Sequence, residues 1–189
     1  MDKFLQILED GRMTDGQGKT VYFSETLIFF TSNAGIQVDT DQGKVYTITP
    51  DSEMSYEEKH NVIVENLKRR VFKPEVLNRI GENIILFDYI DENTRKEILH
   101  SVIEDKINSN ISKTKGIIVE TDESVFNWLQ EICGRKEVVE MGGRGIGNQV
   151  EEYYLNKLSS FIFDNSIQRG SNLRAVHKAN SNEICFERV

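Results

Sequence analysis

The first 50 residues of the chain alternate between short apolar runs and polar, glycine-containing stretches. Apolar residues between Phe4 and Leu8 share one face at helical spacing, so we predict a helix that ends at Gly11. Thr26–Phe30 is a continuous apolar run, which is typical of a strand buried on both faces of a parallel sheet. Ala34–Ser52 is polar, acidic and without periodicity, which indicates a flexible loop.

Helical and strand patterns alternate again up to Asp88. Met54–Val71 has apolar residues at helical spacing, and Pro74 can start a further short helix. Ile84–Phe87 is a second continuous apolar run and predicts a second buried strand. Residues 1–88 therefore have the pattern of an α/β domain.

After Asp88 the pattern changes to long amphipathic helices. We predict a small domain over residues 89–189 in which helices are combined with a short edge sheet. Its predicted elements are, in order, a helix capped by Asp91, a strand at Ile117–Val119, a helix capped by Asp122, a long helix from Gly142, and a hairpin of Leu173–His177 and Ile184–Glu187.

The composition limits the class of protein. The chain has 189 residues, a net charge of -8, 38% hydrophobic and 29% charged residues, which is enough apolar content for a core and argues against a disordered tail. No apolar run approaches the roughly 20 residues of a membrane helix, and residues 1–10 lack the layout of a signal peptide. We therefore expect a soluble, intracellular protein. The acidic balance disfavours nonspecific binding to nucleic acid.

The residues that often form metal or nucleophilic sites are scattered. Cys133 and Cys185 are far apart and lack metal-ligand spacing, so we expect neither a disulfide framework nor a metal site. His60, His100 and His177 fall on separate predicted elements, which favours packing roles.

Four polar segments nevertheless occur in a specific order, namely Leu5–Lys19, Thr31–Gly35, Phe72–Ile80 and Met141–Arg144. The first closely resembles the segment that follows the Walker B strand in Clp-type AAA+ unfoldases. The others resemble, in turn, the sensor 1, arginine-finger and sensor 2 segments of that family. The resemblance implies an α/β remnant of an AAA+ large subdomain, with parallel sheet strands and helices, over residues 1–88. For residues 89–189 it implies an α+β lid domain, with helices and a short terminal sheet.

The resemblance also assigns roles to three side chains. Asn33 corresponds to sensor 1, whose amide can orient the attacking water without adding a charge. Arg79 corresponds to the arginine finger, which acts in trans on the ATP of the neighbouring subunit, and a guanidinium suits developing phosphate charge. Arg144 corresponds to sensor 2, which reaches the γ-phosphate in its own subunit. Taken without the motifs, Asn33 reads as a strand-end residue that caps a loop, and Arg79 as a surface arginine paired with Glu75 or Glu82.

The phosphate-binding part of such an ATPase is not found in the sequence. There is no GxxxxGK[ST] motif, and no apolar strand ending in Asp-Glu precedes Phe4. We therefore expect this chain to be the C-terminal part of an AAA+ module. ATP and Mg²⁺ are expected to bind in the full-length parent, whereas this chain alone is expected to bind neither and not to hydrolyse ATP.

The family resemblance further implies partners. They are other AAA+ subunits in a cytoplasmic hexamer, and unfolded or aggregated proteins as substrates. Family members that feed a Clp peptidase present an aliphatic-Gly-aromatic or aliphatic-Gly-Leu tripeptide in a loop that corresponds to Ile36–Met54. Here that stretch contains only Gly43, between Gln42 and Lys44, so we expect no docking to a Clp peptidase. An alternative function is a non-catalytic assembly module that uses the lid domain.

Overall fold

The computed structural model describes residues 2–32, 35–40, 43–70 and 72–189. The chain divides into two compact units. The first unit ends at Asp88 and the second begins at Tyr89. Within the described ranges, no helix is both long and apolar enough to cross a membrane.

The first unit combines three helices with two small hairpins in its described part. Its elements are α1 (Asp2–Asp10), β1 (Arg12–Thr14), β2 (Thr20–Tyr22), β3 (Gln37–Thr40), β4 (Gly43–Tyr46), α2 (Tyr56–Arg70) and α3 (Pro74–Ile80). The predicted end of α1 is confirmed, because Gly11 adopts a φ of +62° and its N–H donates to the Ile7 carbonyl oxygen at 3.0 Å. The predicted helices at Met54–Val71 and Pro74 are confirmed as α2 and α3.

The buried parallel strand predicted at Thr26–Phe30 is wrong. These residues have no regular secondary structure, and Phe29 is 85% exposed. The physical reason is pairing, because a strand needs a neighbour for its backbone hydrogen bonds. The described strands of the first unit pair as β1–β2 and β3–β4, and none of them pairs with this segment.

The strand predicted at Ile84–Phe87 is also wrong. This segment has no regular secondary structure, and side chains of α2 bind its backbone. His60 Nε2 donates to the Ile84 carbonyl oxygen at 2.8 Å, and the Tyr56 hydroxyl donates to the Leu86 carbonyl oxygen at 3.3 Å. The segment is thus held by a helix face, while Phe87 stays 88% exposed.

The flexible loop predicted over Ala34–Ser52 contains an antiparallel hairpin. Strand β3 pairs with β4 in a register that places Gln37 opposite Tyr46 and Thr40 opposite Gly43. Beyond the hairpin, the Thr47 N–H donates to the Ile36 carbonyl oxygen at 2.8 Å, and Ile48 is buried. Backbone pairing between neighbouring segments forms this hairpin, which the polar composition of the stretch does not predict.

The second unit consists of helices packed against a three-stranded sheet. Its elements are α4 (Glu92–His100), a π-helical segment π1 (Ser101–Asn108), α5 (Ser109–Lys115), β5 (Ile118–Thr121), α6 (Glu123–Cys133), α7 (Lys136–Glu140), α8 (Gly142–Val150), a π-helical segment π2 (Glu151–Leu155), α9 (Asn156–Asp164), β6 (Asn172–His177) and β7 (Ile184–Arg188). Both predicted caps are confirmed, because Asp91 accepts from the Thr94 N–H and Asp122 accepts from the Ser124 N–H.

The sheet of the second unit has the order β5–β6–β7. Strand β6 is antiparallel to β7, which confirms the predicted terminal hairpin, and parallel to β5. The core lies between this sheet and the helices, and its fully buried side chains include Leu99, Ile103, Leu129, Tyr154 and Leu173.

Candidate functional site

Side-chain hydrogen bonds hold the backbone at Gly35, which follows the sensor 1 candidate in the sequence. Asn33 itself lies outside the described residues. Two residues further on, the carbonyl oxygen of Gly35 accepts a hydrogen bond from Asn66 Nδ2 of α2 at 3.0 Å and another from Thr47 Oγ1 at 2.8 Å. Gly35 has a φ of +88°, and a Cβ atom there would lie 3.2 Å from the Ile63 carbonyl oxygen. Close approach to α2 therefore requires glycine at this position.

The arginine-finger candidate is carried by the last turn of α3. Lys73 precedes the helix in an extended conformation, Pro74 occupies its first turn, and Val76 anchors it by burial. Gly81 ends the helix with a φ of +62°. Arg79 thus stands one turn after the buried anchor, on a rigid element.

Arg79 has one polar contact within the described ranges. Its Nη2 atom lies 3.4 Å from Glu9 Oε1 of α1, and the two side chains are 52% and 45% exposed. The ion pair with Glu75 or Glu82 that the sequence allowed is not observed among the described residues. Sequence reasoning missed Glu9 because the pair joins helices that are 70 residues apart.

The sensor 2 candidate lies in the first turn of α8. Gly142 starts this helix with a φ of +59°, and Arg144 follows with an exposed side chain. In the part of the chain that the structure describes, its guanidinium has neither a hydrogen bond nor an ion pair. Arg79 belongs to the first unit and Arg144 to the second.

One small cavity of the first unit is apolar. It is lined by Phe4, Phe30, Phe72, Val76 and Ile80. These side chains offer no donor to a phosphate group. This cavity is therefore not suited to bind a phosphate group.

The described residues contain no candidate metal cluster, and one of the two cysteines is buried in the core. They contain no group of three His, Cys, Asp or Glu side chains placed to hold a metal ion. Burial raises the pKa of the Cys133 thiol to about 11, so this cysteine is an unreactive part of the core. The histidines pack as expected: His100 stacks on Phe126 and His177 on Trp128.

Comparison with known proteins identifies the family. The model of the AAA domain (Cdc48 subfamily) matches residues 1–83. The chaperone protein ClpB of Rickettsia conorii is 33% identical over 176 residues, which cover 92% of this chain and 19% of that protein. The chain belongs to the Clp-type AAA+ family.

Other relatives agree with this membership. ClpB of Bdellovibrio bacteriovorus is 32% identical over 182 residues, which cover 96% of this chain and 19% of that protein. The ATP-dependent Clp protease ATP-binding subunit ClpL of Staphylococcus aureus is 30% identical over 162 residues, or 86% of this chain and 20% of that protein. The chain thus spans about a fifth of the length of these Clp-type relatives.

Proposed function

We propose that this chain is the C-terminal part of an ATP-driven Clp-type protein unfoldase or disaggregase. In this proposal residues 1–88 derive from the large subdomain and residues 89–189 are the lid. Asn33 is sensor 1, Arg79 is the arginine finger and Arg144 is sensor 2. The observation that carries the proposal is that both arginines lie at helix ends with exposed guanidinium groups.

The ion pair of Arg79 is compatible with a role in trans. An exposed pair of this kind contributes at most about 1 kcal/mol, and a distance of 3.4 Å places it at the weak end. A guanidinium so weakly held can leave Glu9 for the phosphate oxygens of a nucleotide bound to a neighbouring subunit. Those oxygens accept up to two of its donors in a fork geometry that a lysine does not reproduce.

The residues fit the nucleotide only in part. Arg144 offers donors to a terminal phosphate group, and the Asn33 amide would orient water. The sequence contains no phosphate-binding loop, so ATP and Mg²⁺ are proposed as cofactors of the full-length parent and not of this chain alone. Bound Mg²⁺ would neutralise phosphate charge, while this chain's own residues supply hydrogen-bond donors.

The partners follow from the same proposal. They are neighbouring AAA+ subunits in a cytoplasmic hexamer, and unfolded or aggregated proteins. One relative is named as a subunit of a Clp protease and others as chaperones. We place this chain with the chaperones, because Gly43 is flanked by polar residues and starts strand β4 of a hairpin.

The test is Arg79→Ala in an assembled Clp-type ATPase that carries this segment. We expect ATP hydrolysis to fall on the order of 10³-fold, by analogy with arginine fingers. Nucleotide binding should change little, since the finger acts from the adjacent subunit. The matched control is Arg69→Ala, which removes another exposed arginine of the first unit, 3.7 Å from Glu65. Its turnover should stay near the unmodified value.

Mixed assemblies then separate action in trans from local damage. Subunits with Arg79→Ala are combined with subunits that lack the catalytic glutamate of Walker B. Partial recovery of hydrolysis supports a finger that acts on its neighbour. Complete inactivity in every mixture would remove the assignment.

A second candidate function is a non-catalytic assembly module that uses the lid. It is favoured by the continuous core of the second unit, which the described residues of that unit complete among themselves. Unchanged hydrolysis in both the Arg79→Ala and the Arg144→Ala protein would favour this alternative.

A further inference from the structure

The first turn of α8 packs on α7 at a point where no side chain fits. A Cβ atom on Gly145 would overlap the backbone carbonyl oxygen of Val138. It would also lie 2.9 Å from Cβ of Met141 and 3.1 Å from Cγ1 of Val138. Because the closest atom belongs to the backbone, rotation of a neighbouring side chain cannot relieve the overlap.

The other glycines of the same helix do not have this constraint. A Cβ on Gly143 would have its nearest neighbour, Ile90 Cδ1, at 3.9 Å, which is ordinary contact. A Cβ on Gly147 would meet nothing within 4 Å. Glycine lowers helix stability relative to alanine at interior positions. Of these three glycines, Gly145 alone is required by close packing.

The corner between α7 and α8 is fixed on both sides of this contact. Val138 is buried, and its carbonyl oxygen accepts a hydrogen bond from the Met141 N–H at 3.1 Å. Gly142 turns the chain with a φ of +59°. The backbone of residues 141–145 is therefore held by a hydrogen bond, by a left-handed turn, and by close contact of Gly145 with the backbone of Val138.

Arg144 is the residue between that turn and that contact. Gly145 is buried against α7, whereas Arg144, about 100° further round the helix, is exposed. Because Arg144 is in the first turn of α8, any displacement of α8 from α7 moves its Cα atom. The position of the guanidinium group changes accordingly.

We infer that Gly145 is a positioning residue for Arg144. It lets α8 lie so close to α7 that the guanidinium is presented at one defined place, where it can bind the terminal phosphate of a nucleoside triphosphate. This inference rests on the proposed role of Arg144 as sensor 2.

The experiment compares Gly145→Ala with Gly147→Ala in an assembled Clp-type ATPase that carries this segment. We expect kcat/KM for ATP to fall about 10²-fold for Gly145→Ala, since misplacement by roughly 1 Å has this cost. Gly147→Ala keeps kcat/KM within about twofold, because its added methyl group meets open space and alanine favours the helix.

A double-mutant cycle with Arg144→Ala supplies the readout that a purely structural role would not move. If Gly145 acts through Arg144, then Gly145→Ala causes little further loss once Arg144 is absent. An equal loss in both backgrounds would overturn the inference, and so would identical behaviour of Gly145→Ala and Gly147→Ala. If Arg144→Ala alone leaves ATP binding and hydrolysis unchanged, the proposed sensor 2 role fails first, and that outcome is distinct from the others.

A milder variant covers the case in which Gly145→Ala does not fold. Gly142→Ala strains the same corner through its left-handed φ, while its methyl group would meet nothing within 4 Å. We expect a smaller loss of kcat/KM that again depends on Arg144. A loss that is independent of Arg144 would contradict the inference.

Discussion

Tyr154 is among the largest side chains that the second unit buries completely, and it brings a hydroxyl group into an apolar core. The hydroxyl donates to Asn108 Oδ1 at 3.0 Å and lies 2.9 Å from Thr121 Oγ1. Asn108 Nδ2 donates to Thr121 Oγ1 at 3.0 Å, which closes a ring of three hydrogen bonds. Burial raises the pKa of Tyr154 to about 12, so the hydroxyl stays neutral and the network intact at physiological pH.

Tyr154→Phe should therefore destabilise the second unit. The change leaves the buried oxygen of Asn108 without the tyrosine proton, and an unsatisfied buried group costs about 1–3 kcal/mol. We expect the Tm to fall by about 4–8 °C per kcal/mol for a unit of this size. The matched control is Tyr153→Phe, because Tyr153 packs edge-on against Trp128 and its hydroxyl has no hydrogen bond among the described residues. Equal Tm values for the two variants in a calorimetric scan would contradict this account.

Helices and strands of this chain differ in how far local sequence determines them. The helix starts at Asp122 and Pro74 are predictable from the sequence, because capping and proline geometry depend on a few neighbouring residues. The strands predicted at Thr26–Phe30 and Ile84–Phe87 are wrong, because a strand exists only where a partner pairs with it. The hairpin β3–β4 is not predicted from the sequence, because backbone pairing forms it and its polar side chains do not indicate a strand.

The candidate site follows the same division. That Arg79 and Arg144 stand at helix ends was predictable from the helix signals around them. The contact of Arg79 with Glu9 and the lack of space at Gly145 were not, because both depend on how separate helices pack. The contact between Lys59 Nζ and Asp88 Oδ2, at 2.7 Å, is a further non-local feature that the sequence did not indicate.

At the start of α6, Asp122 links a helix cap to the sheet. Its Oδ1 accepts from the Ser124 N–H at 3.0 Å, and its Oδ2 accepts from Arg174 Nη2 of β6 at 2.6 Å. The hydrogen bond from the Ser124 backbone, followed by those from the Ser124 and Arg174 side chains, lowers the pKa of Asp122 from 3.8 to about 2. The folded state binds the proton of Asp122 less readily than the unfolded state does. The contribution of the Asp122 carboxylate to the free energy of unfolding is therefore present above about pH 4 and is lost as the pH falls towards 2.

We predict that Asp122→Asn reduces this part of the acid sensitivity. Asparagine keeps the cap but cannot titrate or form the ion pair. Urea unfolding should show a less stable variant at pH 7, with the difference from the original protein shrinking between pH 4 and pH 2. Asp164→Asn is the control, because this carboxylate has no hydrogen-bond or ion-pair partner in the described part of the chain. A constant difference across that range would show that the cap, rather than the charge, was lost.

The two units bury very different amounts of apolar surface. In the described part of the first unit, the buried apolar residues are Ile7, Ile48, Ile63, Leu67 and Val76. Several large apolar side chains of the same unit are exposed, among them Leu27, Phe29, Ile85 and Phe87. The second unit instead has a continuous core that joins all three strands of its sheet to its helices. Since burial of apolar surface is the main stabilising term, the second unit should hold most of the stability of the chain.

We therefore predict that residues 89–189 fold without the rest of the chain. A protein limited to this range should unfold cooperatively, with a Tm within a few degrees of the main transition of the whole chain, because its core residues contact one another. A protein that starts at Lys96 is the matched comparison. It lacks the Asp91 cap and also Arg95, whose Nη1 donates to the Ile90 carbonyl oxygen at 3.1 Å. Loss of the cap alone costs about 1 kcal/mol, so this shorter protein should melt several degrees lower.

Hydrogen exchange on the whole chain tests the same difference in stability without truncation. Amides of α6 and β6 should be protected up to the global free energy of unfolding, because Val125, Leu129, Leu173 and Ala175 are completely buried. Amides of residues 27–30 should exchange at nearly the rate of an unstructured peptide, since these residues form no helix or strand. Strong protection of residues 27–30 in the monomeric chain would mean that this segment is paired in a sheet after all, and the account of the exposed apolar runs would be wrong.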